Sequence, residues 1–355
     1  MTTIAQQLRR IDGSKIAVWV IGGGILLFIT VGSIATLTSG EFSAEAWIDL
    51  FVFGLAQGSI YALIALGYTL VYGVLFMINF AHGEVFMGGM YIAFFVARAF
   101  DESGFLNANP ILSLVIITLV STSVSTFLAV MLERIAYRPL RNSPRLVYLI
   151  TAIGASFFLQ YAFRGIFGPS TKVYPDIGIL QGEWSIFGIE ILKRQAIVIV
   201  AAVLMMVLLQ VFVNYTKAGR AIRAVAEDRE AAALMGINVD RSIVTTFVVG
   251  GAMAGVAGIL YAISFRQVTH TVGFIPGLKA FTAAVLGGIG NIPGAMVGGI
   301  FLGIFESVGP TLFFSGLDIP SPNQQKDVIA FTMLVLVLIF RPTGILGEAI
   351  DEKRA

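Results

Sequence analysis

The chain has 355 residues, 57% of them hydrophobic and only 12% charged, against roughly 25% charged in a soluble domain, so its apolar surface is far more than one aqueous core can hide. A formal net charge of +2 and the absence of cysteine exclude a broadly basic nucleic-acid-binding surface, a disulfide framework, a thiolate nucleophile and a cysteine metal site. What remains is an all-α polytopic membrane protein, whose 39 glycines suit close helix approach in lipid.

A spanning helix needs about 20 mostly apolar residues. The chain offers ten candidates in order: 16–37, 48–76, 85–100, 111–132, 146–167, 196–213, 243–263, the short 275–289, 295–314 and 328–340. The first is long for the apolar stretch of a signal peptide, and the count falls to nine if it is removed or absent. Some spans are expected to be broken or short. Residues 1–40 form an N-terminal extension with the first span, 41–347 the main membrane domain, and 348–355 a tail.

Lysine and arginine in short loops set orientation. Four clusters carry 15 of the 23 basic residues. Arg9, Arg10 and Lys15 precede the first span; Arg134, Arg138, Arg141 and Arg145 follow the fourth. Lys217, Arg220, Arg223, Arg229 and Arg241 separate the sixth from the seventh, and Arg341, Lys353 and Arg354 follow the tenth. Ten spans put all four clusters, and both termini, on the cytoplasmic side. The largest outer loop, 168–194, has room for a short helix or hairpin and suits docking by an external protein.

The segment INFAHGEVFMGGM, residues 78–90, places Asn79, His82 and Glu84 within an apolar region. An ionisable group in hydrocarbon is costly unless it faces protein, water or a partner. Asn79, Gly83 and the Gly88–Gly89 pair weaken helix propensity, so the spacing predicts a chain reversal or a discontinuous helix near 78–84, on the basic side of the membrane. Two roles are open for Glu84. It meets the ammonium of a substrate in a transport path, or it caps a helix N-terminus structurally, as Asn79 would. His82 and Glu84 alone are too few ligands for a metal. Glu306, inside the ninth span, either pairs with Lys279 or faces the path. The glycine-rich GGIGNIPGAMVGG, residues 287–299, has no strand before it and is a close-packing turn rather than a nucleotide fingerprint. His270, beside Arg266 in an outer loop, is ordinary polar surface.

The longest inner loop, NYTKAGRAIRAVAEDREAAALMGINVDRS, is rich in helix formers. A helix is expected to continue from Asp228 to Ala233 and to end at Gly236 in the left-handed position, with Ala226, Ala231, Leu234 and Met235 as its apolar face. It is either a connector on the membrane surface or a short helix that docks into a cytoplasmic partner.

The pattern A-E-D-x-x-x-A-x-L-x-G-I resembles the coupling loop of ABC importer permeases. With GSIYALIALGYTLVYGVLFMINFAHGEVFMGG, ERIAYRPLR, GLKAFTAAVLGGIGNIPGAMVGG and KDVIAFTMLVLVLIFRPTGILG, it is similar to the successive blocks of LivH-type permeases of branched-chain amino acid importers, from about residue 47 to 347. The N-terminal extension exceeds the compact form of that subunit. The resemblance implies a bacterial inner-membrane permease working by alternating access. It pairs with a LivM-like chain or a second copy, and its partners are two cytoplasmic ATPases and a periplasmic or lipid-anchored binding protein. It implies no cofactor in this chain, ATP and magnesium belonging to the ATPases. It implies an ATPase-coupling role for Arg220, Arg223, Glu227, Asp228, Ala231, Leu234 and Gly236, and leaves Asn79, His82, Glu84 and Glu306 as candidates for the substrate path. The chain has no G-x-x-x-x-G-K-[ST] loop, so it does not hydrolyse ATP itself. The alternatives are a permease for urea or short amides, and an ion-coupled secondary transporter, which would need charged coupling sites such as Glu84 and Glu306. An intramembrane enzyme lacks any nucleophile motif.

Overall fold

The computed structural model describes residues 13–141, 143–186, 189–341 and 343–347. Arg9, Arg10, Lys353, Arg354 and the tail lie outside the described residues. Thirteen α-helices follow in order: α1 Gly13–Ser39, α2 Ala44–Leu75, α3 His82–Glu102, α4 Phe105–Ala108, α5 Pro110–Leu132, α6 Arg145–Phe167, α7 Lys193–Tyr215, α8 Lys217–Glu227, α9 Arg229–Leu234, α10 Val239–Phe265, α11 Phe274–Gly287, α12 Ile292–Phe314 and α13 Lys326–Phe340. Among the described residues nine helices are long and apolar enough to span a membrane, and α11 is a tenth, shorter apolar helix. The ten segments expected from hydropathy are therefore all helical. The loop 168–194, expected to have room for a short helix or hairpin, holds a 3₁₀ turn, Gly178–Leu180, and an antiparallel hairpin of β2 (Glu183–Ile186) and β3 (Ile189–Leu192). A second small ladder pairs β1 (Lys172–Val173) with β4 (Gln267–Val268).

Two helices form the axis of the bundle. Gly54 and Gly58 of α2 face Gly299 and Gly303 of α12, small residues one turn apart that let two backbones touch. A Cβ on Gly303 would lie 2.2 Å from the Cα of Gly58. The pairing is antiparallel, since Gly54 meets Ser307 and Ala62 meets Gly299. Helices α3, α5 and α10 pack beside them, joined by hydroxyl bonds. Ser121 donates to the Gly255 carbonyl at 2.8 Å and Ser125 to the Val85 carbonyl at 2.9 Å. Such bonds satisfy polar atoms where lipid offers no partner.

The periphery fixes the chain direction. Helix α1 runs parallel to α12: Gly32 lies against Phe313, and the Gly316 amide donates to Thr36 Oγ1 at 2.8 Å. The Trp19 end of α1 touches Phe340 at the end of α13, with ring centroids 6.1 Å apart. Both ends of the described chain thus share one face. The α5–α6 loop lies on that face too, where Arg138 and Arg141 bind Asp240 at the start of α10. So does α9, where Arg229 binds the Val74 carbonyl at the end of α2. The geometry gathers the described basic loops on one side, as their charge pattern predicts.

Because the α2–α12 contact is backbone on backbone, neither side can yield. Gly303→Leu is expected to cost at least the ~1–3 kcal/mol of an overpacked core and to abolish most folded protein. Size-exclusion yield and thermal unfolding in detergent check this, with surface-facing Gly23→Leu as the control expected to behave like wild type.

Candidate functional site

Three polar constellations interrupt the apolar bundle. The first is the expected break. Helix α2 ends at Leu75, and Phe76 caps it in the left-handed conformation, φ 51°, its amide donating to the Tyr72 carbonyl. The chain then doubles back before α3 begins. His82 packs edge-on against Tyr68, ring centroids 5.0 Å apart, and a Cβ on Gly67 would fall 2.0 Å from His82 Nε2. Gly250, near the middle of α10, lies beside Gly67 and His82 Cε1. The reversal therefore begins at the basic-face end of α2, where the sequence places the break, and α3 restarts deeper in the bundle, beside Tyr68 and Gly250.

Helix α11 starts at the same depth. Gly83 abuts Gly273 and Gly277, so the N-termini of α3 and α11 meet; a Cβ on Gly83 would lie 2.4 Å from the Gly273 carbonyl oxygen. Two helix N-termini concentrate partial positive charge, and Glu84 stands in the first turn of α3 to meet it. Its Oε1 accepts from Gln160 Nε2 at 2.7 Å and Ser156 Oγ at 3.2 Å, both on α6. Its Oε2 points at Gly273. Fully buried, Glu84 ties α3 to α6 beside the start of α11. Asn79 does not cap α3: the cap position is Ala81, which makes no side-chain bond. Asn79 Oδ1 instead accepts from Tyr137 OH at 2.5 Å, tying the reversal to the π-helical turn Glu133–Tyr137 that follows α5.

The second constellation surrounds Glu306. Its Oε1 accepts from Lys279 Nζ at 2.5 Å, Gln57 Nε2 at 3.0 Å and Tyr61 OH at 3.3 Å. Lys279 also reaches Asp327 at 2.6 Å. The pairing of Glu306 with Lys279, one of two options open in the sequence, is what forms. One buried cation thereby joins α11, α12 and α13, and Gln57 and Tyr61 add α2. Sequence reasoning did not single out Gln57, Tyr61, Asp327, Ser156 or Gln160, although Gln57, Ser156 and Gln160 are polar residues inside apolar spans, where such groups usually have a partner.

The third is the loop between α7 and α10, which forms two helices rather than one. Thr216 caps α8 by accepting from the Gly219 amide at 3.0 Å. At Asp228 the backbone is extended, φ −153°, which ends α8; its carboxylate then accepts from the Glu230 and Ala231 amides at 2.9 Å and starts α9. Asp228 therefore breaks the expected helix instead of lying within it. Gly236, φ 82°, ends α9 as expected: its amide donates to Ala233, and the Ile237 amide to Ala232, both at 3.0 Å. The buried residues are Gly219, Ile222, Val225 and Ala232, not the apolar face assigned from sequence. Leu234 and Met235 are 89% and 82% exposed. Arg220, Arg223, Glu227 and Ala231 are exposed on the same element. Arg229 anchors it to α2, and partial burial lowers its pKa from the usual guanidinium value. The glycine-rich turn 287–299 packs closely, as expected. Gly287 meets Gly294, and the 343–347 segment lies along the turn through the Ile345 amide on Leu286 at 2.8 Å and the Leu346 amide on Gly287 at 2.9 Å.

Removing one partner of a buried ion pair is worse than removing both. Lys279→Met is expected to destabilise the chain by about 3–5 kcal/mol by stranding Glu306, and Lys279→Met with Glu306→Gln to recover much of that loss. Thermal unfolding of the two variants in detergent measures the difference.

The family model described as "Branched-chain amino acid transport system / permease component" matches residues 50–338. The chain is 45% identical over 310 residues to "High-affinity branched-chain amino acid transport system permease protein BraD" of Pseudomonas aeruginosa, covering 86% of this chain and 98% of that one. It is 43% identical over 311 residues to the permease protein LivH of Escherichia coli (strain K12), covering 84% and 95%. A probable LivH of Methanocaldococcus jannaschii is 28% identical over 311 residues, covering 84% and 92%. With most of its length matched, and with the polytopic helical bundle that such a subunit requires, the chain belongs to the family of branched-chain amino acid transport system permease components.

Proposed function

We propose that this chain is the membrane-spanning subunit of an ABC importer that carries branched-chain amino acids inward, the basic face of the bundle being cytoplasmic. It is a transport subunit and not an enzyme. The observation that carries the coupling assignment is the α8–α9 element. It is held rigidly by three caps and by Arg229, yet it presents Leu234 and Met235 to solvent at its tip. An exposed apolar pair on a stiff, charged element is an anchor for a partner's groove. Closure of two ATPases would press on it and, through Arg229, on the end of α2, reorienting the bundle by alternating access.

The partners belong to the same proposal: a LivM-like chain or a second copy in the membrane, two ATPases below, and a binding protein outside. Residues 1–40 are an extension to the main domain 41–347. The packing of α1 on α12 supports retention of the first span, and the terminal charge pattern supports cytoplasmic ends in a bacterial inner membrane. Glu84 and Asn79 are better explained as joints of the break than as substrate contacts, since their side chains are used between helices. His82 is packed beside them, and Glu306 is bound to Lys279. None of the four is assigned to the path here.

Leu234→Asp with Met235→Asp is expected to leave membrane yield unchanged and to cut ATP-driven uptake and ATPase co-purification by about tenfold, the effect of losing a central apolar anchor. Glu227→Lys and Gly236→Pro should act in the same direction. Uptake and co-purification at wild-type levels in all three would refute the coupling assignment.

A further inference from the structure

On the face opposite α8–α9, the loop 172–194 and the end of α10 enclose a cavity of about 210 Å³. Its floor is aliphatic, with Ile117, Ile259 and Ile263; its rim carries Asp176, Arg194 and Arg266. We propose that this cavity is an entry site for a zwitterionic α-amino acid with an aliphatic side chain. The α-ammonium meets Asp176, the α-carboxylate meets Arg194, and the side chain lies on the isoleucine floor. The assignment rests on the importer function proposed above and gives that function a place in this chain.

Four observations converge on it. The size fits: an engineered apolar cavity of about 150 Å³ admits benzene, and this one is somewhat larger and polar at one edge. The charges fit a zwitterion. Asp176 Oδ2 holds Arg266 at 2.9 Å, leaving its second oxygen for an ammonium, while Arg194 takes part in no ion pair among the described residues. The frame is rigid and locally strained. Arg266 ends α10 in the left-handed conformation, φ 57°, unusual for a residue with a side chain and frequent at functional sites. The Tyr174 amide donates to the Arg266 carbonyl at 2.8 Å, and Tyr174 OH donates to the Met90 carbonyl, so the charged rim is fixed to α3. Last, Arg194 also borders a second hollow of about 30 Å³ that reaches Gln57, a ligand of the buried Glu306. The cavity therefore stands at the outer end of a line of polar side chains leading into the bundle.

The chain contains no cysteine, so a single one reports without background. Gln181 is exposed and lines the mouth of the cavity. The full chain carrying Gln181→Cys, in nanodiscs, is alkylated with a maleimide in the presence of L-leucine, L-leucinamide or 4-methylpentanoate. L-leucine at saturation is expected to slow alkylation by about tenfold, and the two analogues, each lacking one charge, by less than about twofold. Adding Arg194→Gln should abolish the protection. No protection by L-leucine, equal protection by all three compounds, or protection set by the phosphatidylethanolamine content of the disc instead of L-leucine would each overturn the site. Uptake by the assembled importer separates the two proposals. Leucine uptake without protection refutes the cavity alone, and absence of uptake of any branched-chain amino acid refutes the substrate assignment beneath it.

Discussion

The ion network around Glu306 is the constraint on which the rest of the bundle depends. Lipid gives a buried carboxylate no partner, so the protein must supply one. Lys279 does so, and the same ammonium reaches Asp327, while Gln57 and Tyr61 also donate to Glu306 Oε1. A network that draws on α2, α11, α12 and α13 can be satisfied only in one register of those helices. The glycines at the α2–α12 contact make that register reachable, because only there can the two backbones approach closely enough. Packing and polar satisfaction thus select the same arrangement, and neither would suffice alone in a solvent as apolar as the protein's own side chains.

The second joint uses the same logic with dipoles. Helices α3 and α11 begin in the interior, where their N-terminal turns meet through Gly83 and Gly273. An acid at that junction compensates the converging positive ends, and Glu84 provides it while accepting from α6. Half-helices that start inside a bundle are the usual means by which a transporter brings polar backbone to the centre of the membrane. Here they are held by a carboxylate of the protein itself. The α8–α9 element is joined to the same core through Arg229 and the end of α2, giving a continuous solid path from the exposed Leu234–Met235 tip to the glycine axis.

The sequence made the local features legible and left the tertiary ones hidden. Span count followed from hydropathy, the end of α9 from Gly236, and the shared basic face from arginine placement, because each is written in a few neighbouring residues. The Lys279–Glu306 pair was visible as an option, since two isolated charges in apolar spans need one another. The depth of His82 was not visible: it depends on Gly67 and Gly250 making room, and parity of spans says nothing about how far the chain re-enters the bundle before the next helix starts. Asn79 looked like a cap because caps are local, but Tyr137, 58 residues away, offered a better bond. Asp228 sat in a run of helix formers, yet its side chain bonds to the next amides more favourably in extended than in helical backbone, so it divides the helix.

The central claim is that this chain is driven by ATP through a partner pressing on α8–α9. Uptake of radiolabelled L-leucine into proteoliposomes holding the assembled complex tests it most directly, with ionophores present to collapse ion gradients. The account predicts uptake that requires internal ATP and added binding protein and is indifferent to the ionophores. Uptake that proceeds without ATP and stops when the proton or sodium gradient is dissipated would contradict it.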